Sequence, residues 1–158
     1  MNELSMSLSV VVQASPEAVY DLVCDVTRIQ EFSPVCTSCW WDDGAGPHVG
    51  AWFTGRNQTP ERTWETRSLV VAAERGREFA FVVGGTFARW GYTFAATAEG
   101  TLVTESWQFL PAGVAMFHER YGEDAPAQIA DRTDAARQGI PATLAALKKS
   151  AEETTGRP

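Results

Sequence analysis

The sequence predicts an α+β fold in which a curved antiparallel sheet of about seven strands surrounds a long C-terminal helix. Two observations predict it: short β-type segments joined by turns over residues 35–110, and an amphipathic helical pattern over about residues 124–153. A sheet with one apolar face and a long amphipathic helix bury these surfaces against each other. At 158 residues the chain has the length of one domain, so we expect a single ligand-binding domain over residues 1–158.

The chain is predicted to begin with a strand followed by two short helices. β-Branched residues indicate a strand over residues 6–15. Ser15 has the N-cap position of a helix with Pro16 in its first turn, and apolar residues follow at helical spacing. A second short helical turn is expected over residues 28–34, where a proline ends it.

Six further strands are predicted, separated by turns rich in Gly, Pro and Asp. They cover residues 35–41, 49–58, 62–73, 78–83, 88–97 and 102–110. Their short connections indicate antiparallel neighbours. Because successive side chains of a strand point to opposite faces, each strand should offer one face to the core.

A link and a long helix are predicted for the C-terminal third. Residues 111–128 contain prolines, glycines and a short helical segment, and Met116, Phe117 and Tyr121 within this link could form a lid over a cavity mouth. The sequence leaves open whether they do. The apolar face of the long helix contains Ala136, Ile140, Leu144 and Leu147. A glycine and a proline predict a kink near residues 137–141, and residues 154–158 are expected to be a frayed tail.

Four segments carry a family resemblance. They are ASPEAVYDLVCDVTRIQEFSP, GAWFTGRN, FARWGYTF followed by GTLVTESW, and GIPATLAALKKSAEE. In this order they resemble the START-like helix-grip superfamily, also called SRPBCC or polyketide cyclase/dehydrase-like, over roughly Ser5 to Glu153. The resemblance implies a helix-grip fold with two short helices after the first strand. It does not select one function, because the superfamily includes ligand carriers, lipid-transfer domains and aromatase/cyclases.

Aromatic residues predict a concave binding surface. The six tryptophans and eight phenylalanines supply more ring surface than core filling requires. Strand alternation places on one face Trp64, Phe79, Phe81, Trp90, Tyr92, Trp107 and Phe109. With Ile140 and Leu144 of the helix, these are the candidate ligand-binding residues. The alternative is a plain aromatic core; we favour a cavity because large rings opposite an alanine-rich helix face (Ala136, Ala142, Ala145) pack poorly without voids.

Glu105 interrupts the apolar face of the last strand. If it points inward it needs a partner, because an unpaired buried carboxylate is costly and its pKa rises. Arg56 and Tyr92 are the possible partners. Glu105 is therefore a candidate ligand-binding residue, a candidate general acid or base, or half of a structural pair. The candidates for catalysis are Glu105, Arg56, Tyr92 and His118, although His48 and His118 lack partners at a catalytic spacing and are expected to be solvated.

Cys36 and Cys39 have C-x-x-C spacing within a predicted strand. Alternation would place them on opposite faces with their Cα atoms about 10 Å apart, beyond the reach of a disulfide. No further ligand pair completes a zinc site, so we expect two packed free thiols and no metal. Trp40 and Trp41 also lie on opposite faces, and the sequence does not say which of them faces inward.

Charge and composition argue against several functions. The net charge of −7 argues against a nucleic-acid partner, and because no apolar run approaches 18 residues we expect no stable membrane insertion. The N-terminus lacks signal-peptide features and the cysteine count is odd, so we expect a cytoplasmic protein. We find no phosphate-binding loop and no nucleophile elbow, and we expect no cofactor.

The sequence thus predicts a protein that binds a small hydrophobic molecule of the lipid, polyketide or isoprenoid class in a cavity between the sheet and the C-terminal helix. The first alternative is an aromatase/cyclase-like enzyme that acts on a polyketide. The second is a packed domain that serves in protein interaction, and a homodimer is also considered.

Overall fold

A seven-stranded antiparallel sheet organises the computed structural model, which describes residues 4–155. The strands are β1 (Ser5–Val12), β2 (Cys36–Trp41), β3 (Trp52–Thr59), β4 (Arg62–Glu74), β5 (Glu78–Val83), β6 (Ala88–Thr97) and β7 (Gly100–Phe109). Their order in the sheet is β1-β7-β6-β5-β4-β3-β2, so β2 to β7 form a meander and β1 pairs with the last strand. The predicted fold class is confirmed, and most predicted strands match within a few residues.

Helices precede and follow this meander along the chain. They are α1 (Pro16–Cys24), a 3-10 helix (Val26–Glu31), α2 (Pro111–Tyr121) and α3 (Ala125–Thr155), with single 3-10 turns at Asp42–Gly44 and Gly122–Asp124. Ser15 caps α1 as predicted, since its Oγ accepts a hydrogen bond from the Ala18 N–H at 3.2 Å. The predicted link over residues 111–128 contains α2 and the start of α3.

The long helix is continuous through Pro141, which is exposed, and the kink predicted near residues 137–141 stays a prediction. Burial of Ile140 and Leu144 on either side offsets the loss of one backbone hydrogen bond. The helix also extends to Thr155, so the first two residues of the predicted frayed tail are helical; residues 156–158 lie outside the described residues.

Helices α3 and α1 cover different parts of the sheet's inner face. The buried side of α3 includes Ala136, Ile140, Leu144, Leu147 and Ala151, and α3 contacts β1 and β7. Tyr20 of α1 packs edge-on against Phe79 and Phe94, with ring centroids 6.3 Å and 5.8 Å away. The predicted alanine-rich face is wrong in part, because Ala142 and Ala145 are exposed.

A bulge in β2 overturns the predicted separation of the two cysteines. Cys36 pairs with Asn57 and Cys39 pairs with Gly55, so two residues of β2 between them oppose one residue of β3. The extra residue shifts the alternation by one position and returns Cys39 to the face of Cys36. Both thiols are free, as expected, and both are buried.

The same strand settles the direction of the tryptophan pair. Trp41 lies opposite Phe53 on the inner face, with ring centroids 5.6 Å apart. Trp40 lies on the outer face, is 38% exposed, and has the Arg56 guanidinium 5.9 Å from its ring centroid.

Two helical glycines provide a matched stability prediction. A Cβ on Gly113 of α2 would fall well inside the van der Waals distance of the Phe87 carbonyl oxygen, whereas a Cβ on Gly139 of α3 would meet nothing within 4 Å. Gly113→Ala is therefore expected to lower the free energy of unfolding by about 1–3 kcal/mol. Gly139→Ala is expected to raise it by about 0.5–1 kcal/mol, since alanine is the better helix former. Urea denaturation of both variants checks this, and equal effects would contradict the close approach at Gly113.

A candidate ligand site on the concave face of the sheet

The strand register brings the predicted aromatic residues onto one concave face. Across β5, β6 and β7, Phe81, Trp90 and Trp107 form one row of register partners. Phe79, Tyr92 and Glu105 form the row beside it. Phe109 follows Trp107 on β7 with ring centroids 6.0 Å apart, and Trp64 lies on the same face of β4.

Part of this aromatic face remains open to solvent. Phe79, Trp107 and Phe109 are buried. The side chains that stay partly exposed on the same face are Trp41, Trp64, Phe81, Trp90 and Tyr92. Large rings that stay accessible on the inner side of a sheet form an apolar surface of the kind that binds ligands.

Glu105 and Tyr92 form a buried polar pair within this face. Glu105 is only 2% exposed, and its Oε2 accepts a hydrogen bond of 2.9 Å from the Tyr92 hydroxyl. Its Oε1 is buried without a hydrogen-bond partner among residues 4–155. Carboxyl oxygens this deeply buried are normally paired, so the free oxygen is an unused bonding position in an apolar surrounding.

Burial determines the charge of this pair. Loss of water raises the pKa of Glu105 to about 8, although the hydrogen bond from Tyr92 acts in the opposite direction. Burial, followed by the nearby Glu105 charge, also raises the pKa of Tyr92 well above its usual value. Near neutral pH Glu105 is therefore mainly a neutral acid, which can donate one hydrogen bond and accept another.

Two of the predicted catalytic candidates lie elsewhere. Arg56 does not reach Glu105: it is exposed on the outer face of β3 and forms an ion pair with Glu65 at 2.9 Å. The neighbouring Gly55 faces inward, so alternation directs Arg56 away from the site. His118 is exposed on α2, as expected for a solvated histidine.

A cleft of about 920 Å³ lies between β1 and α3. His118 and Ile140 line it, together with Leu4, Met6, Leu8, Ile129, Thr133 and Arg137 among others. Glu105 and Tyr92 are not part of its lining. Of the two predicted helix residues, Ile140 borders this cleft, and Leu144 is buried at 2% exposure.

The predicted binding surface omitted further aromatic residues of the inner face, among them Phe94, which is buried on β6. Trp41 and Phe53 extend it along β2 and β3, and the Phe53 ring centroid lies 5.0 Å from that of Phe81. Tyr20 reaches it from α1. Alternation in WFTGRN places Phe53 on the face opposite Arg56, but it does not say which of the two faces points inward.

The described part of the chain has neither a metal-binding cluster nor a membrane-spanning helix. Among residues 4–155 no group of three or more His, Cys, Asp and Glu side chains could hold a metal ion. Within the same residues no helix combines the length and the apolar character needed to cross a membrane.

Comparisons with known proteins place these features in a family. A family model described as polyketide cyclase / dehydrase and lipid transport matches residues 3–152. The solution NMR structure of the polyketide cyclase-like protein Cgl2372 from Corynebacterium glutamicum is 46% identical, with a TM-score of 0.72 and coverage of 97% of this chain and 94% of that one. A comparison with curated proteins gives no match.

More distant structures share the fold. The di-domain ARO/CYC protein StfQ from the steffimycin biosynthetic pathway is 17% identical with a TM-score of 0.71, and the match covers 98% of this chain and 52% of StfQ. Protein NE0264 from Nitrosomonas europaea is 14% identical with a TM-score of 0.68, over 98% of both chains.

Proposed function

Because the chain belongs to the polyketide cyclase/dehydrase and lipid transport family, we propose that it binds a small, largely apolar molecule against the concave face of its sheet. The unpartnered Oε1 of Glu105, buried among aromatic rings, is the observation that carries this proposal. A ligand with a carbonyl or hydroxyl group would satisfy this oxygen, while its rings would cover the partly exposed Trp90 and Phe81.

The chemistry of the face favours an aromatic or polycyclic ligand with few polar groups. Stacked and edge-on contacts with aromatic rings favour the binding of flat apolar molecules. A neutral carboxyl group donates a hydrogen bond to a ketone oxygen without burying a net charge. The ligand-binding residues of this proposal are Phe81, Trp90, Tyr92 and Glu105, with Trp64 at the end of the face.

Binding of flavone, an apolar aromatic ketone, tests the proposal through quenching of tryptophan fluorescence and calorimetry. Trp90→Ala is expected to raise the Kd of flavone about ten-fold, because it removes a ring from the inner face. Trp40→Ala is the matched control: Trp40 lies on the outer face, so its loss should leave the Kd unchanged. Equal effects of the two substitutions, or no binding of flavone and related apolar ketones, would contradict the proposed site.

Catalysis of a cyclisation is the second candidate function, and the Tyr92–Glu105 pair is the observation that favours it. A carboxyl group with a pKa of about 8 can both give and take a proton near neutral pH, which is what an aldol-type ring closure of a poly-ketone requires. The likeness to the ARO/CYC protein StfQ supports the same candidate at the level of fold. Glu105→Gln would then abolish conversion of a linear poly-ketone while the protein still binds flavone; unchanged conversion would exclude this role.

A further inference from the structure

The inward turn of Cys39 creates a pair of thiols at one corner of the concave face. The sulphur atoms of Cys36 and Cys39 lie 3.7 Å and 3.9 Å from the same point, the position that a Cβ of Gly55 would occupy. Both sulphurs therefore lie over the same residue of β3, within ordinary van der Waals distance of that position. The bulge in β2 brings the two thiols to one face of one strand.

The surroundings of the two thiols shift their pKa values in opposite directions. A hydrogen bond from Cys39 lowers the pKa of Cys36, and the same hydrogen bond, with burial, raises the pKa of Cys39. In a reaction with an oxidant, Cys36 would therefore be the nucleophile and Cys39 the proton donor, the usual division of roles between attacking and resolving cysteines.

Cys24 provides a contrast within the same chain. It lies in α1, its thiol donates to the Asp21 carbonyl oxygen at 3.7 Å, and burial raises its pKa to about 11. A buried thiol with a raised pKa is unreactive.

The two thiols are buried, and partly exposed polar side chains lie beside them on the concave side. Thr66 and Asn57, the inward side chains nearest to the thiols on β4 and β3, are partly exposed and hydrogen-bonded to each other at 3.4 Å. The Thr66 Oγ1 lies 3.7 Å from the same Cβ position of Gly55 as the Cys36 sulphur. A hydroxyl and an amide beside the thiols favour the approach of a water-sized polar oxidant over that of a bulky apolar one.

We propose that Cys36 and Cys39 form a dithiol that a hydroperoxide, such as hydrogen peroxide, oxidises to an intramolecular disulfide. The Cys36 thiolate attacks one peroxide oxygen; the O–O bond breaks, and Cys36 sulfenic acid and hydroxide form. The Cys39 sulphur then attacks the Cys36 sulphur, and the sulfenic hydroxyl group leaves with the Cys39 proton as water. Two thiols lose two electrons, and one peroxide is reduced to two molecules of water.

The test is to treat the intact protein with hydrogen peroxide, stop the reaction with catalase, unfold the chain, alkylate free thiols and analyse the peptides by mass spectrometry. We expect a Cys36–Cys39 disulfide, reversed by dithiothreitol, with Cys24 alkylated at least ten times more often than it is oxidised. Oxidation of all three cysteines at one rate, or a Cys36 that goes to sulfinic acid without forming the disulfide, would overturn the proposal.

Two variants assign the roles. In Cys39→Ser, peroxide should leave Cys36 as a sulfenic acid that dimedone traps, whereas in Cys36→Ser the remaining Cys39 should stay unoxidised. Reversed behaviour would overturn the assignment. Cys24→Ser keeps the pair intact and should form the disulfide at the wild-type rate, and if a variant of the pair fails to fold, the comparison with Cys24 in the wild-type protein still decides the outcome.

Discussion

Replacing Glu105 by glutamine is expected to remove most of the pH dependence of stability between about pH 5 and pH 8.5. The folded protein holds the Glu105 proton with a pKa of about 8, against an ordinary value of 4.5. The stabilisation that the folded state gains by holding this proton is therefore fully present below the pKa of Glu105 in the unfolded chain. It is lost as the pH rises through the pKa of Glu105 in the folded protein. At about 1.4 kcal/mol per unit, this shift lowers the free energy of unfolding of the wild-type protein by about 4 kcal/mol across the range.

Glutamine keeps the shape of the side chain and carries no charge. As the pH rises, the free energy of unfolding of the variant should therefore increase by about 4 kcal/mol relative to that of the wild-type protein. Urea denaturation of both proteins at several pH values measures the difference. Other carboxyl groups, such as Asp21 and Asp42, have pKa values lowered by arginine partners. They therefore stabilise the folded protein at neutral pH, and this stabilisation is lost as the pH falls below about 4. Parallel stability curves for the two proteins would show that Glu105 is ionised in the folded state at neutral pH.

Phe79→Ala is expected to lower the free energy of unfolding by about 3–5 kcal/mol. Phe79 is 1% exposed, and it packs against Tyr20 of α1 and Phe81 of β5, so its removal leaves a cavity between α1 and the sheet. Phe81 is the matched control, because it lies on the same strand and face but is partly exposed. Phe81→Ala should cost about 1–2 kcal/mol of stability.

The two phenylalanines should also separate stability from binding. Phe81→Ala is expected to raise the Kd of flavone by more than its decrease in the free energy of unfolding accounts for. Phe79→Ala should lower the free energy of unfolding without a separate effect on the Kd of flavone. Thermal unfolding and flavone titration of the two variants measure both properties. Equal losses of stability would mean that the concave face is packed around Phe81 as tightly as around Phe79.

Alternation predicts the fold and much of the aromatic face because its period is set by the backbone. Along β5, β6 and β7 the strands pair without a register shift, and there the predicted inward residues, from Phe79 to Phe109, lie where the sequence places them. The same rule identifies Tyr92 as the partner of Glu105, since the two are opposite each other across β6 and β7.

The rule fails where a strand takes up an extra residue. Nothing in CTSCWW signals the bulge of β2, because a bulge depends on how the strand meets its neighbour and the helix beside it. The proximity of Cys36 and Cys39 was therefore beyond sequence reasoning. Arg56 was wrongly chosen as a partner of Glu105 for a different reason. The choice depended on which face of β3 points inward, and the inward Gly55 has no apolar side chain to indicate that face.

The pairing of β1 with β7 has a consequence for the order in which this protein assembles. Ser9 and Thr104, whose hydroxyl groups hydrogen-bond at 2.7 Å, are 95 residues apart in the chain. A ribosome releases β1 before the other six strands of the described sheet, yet its only partner strand there, β7, is made last. We therefore expect β1 to stay unpaired while the local hairpins from β2 to β7 form, and to reach its native place late. During that interval its apolar sequence SVVV is accessible to chaperones.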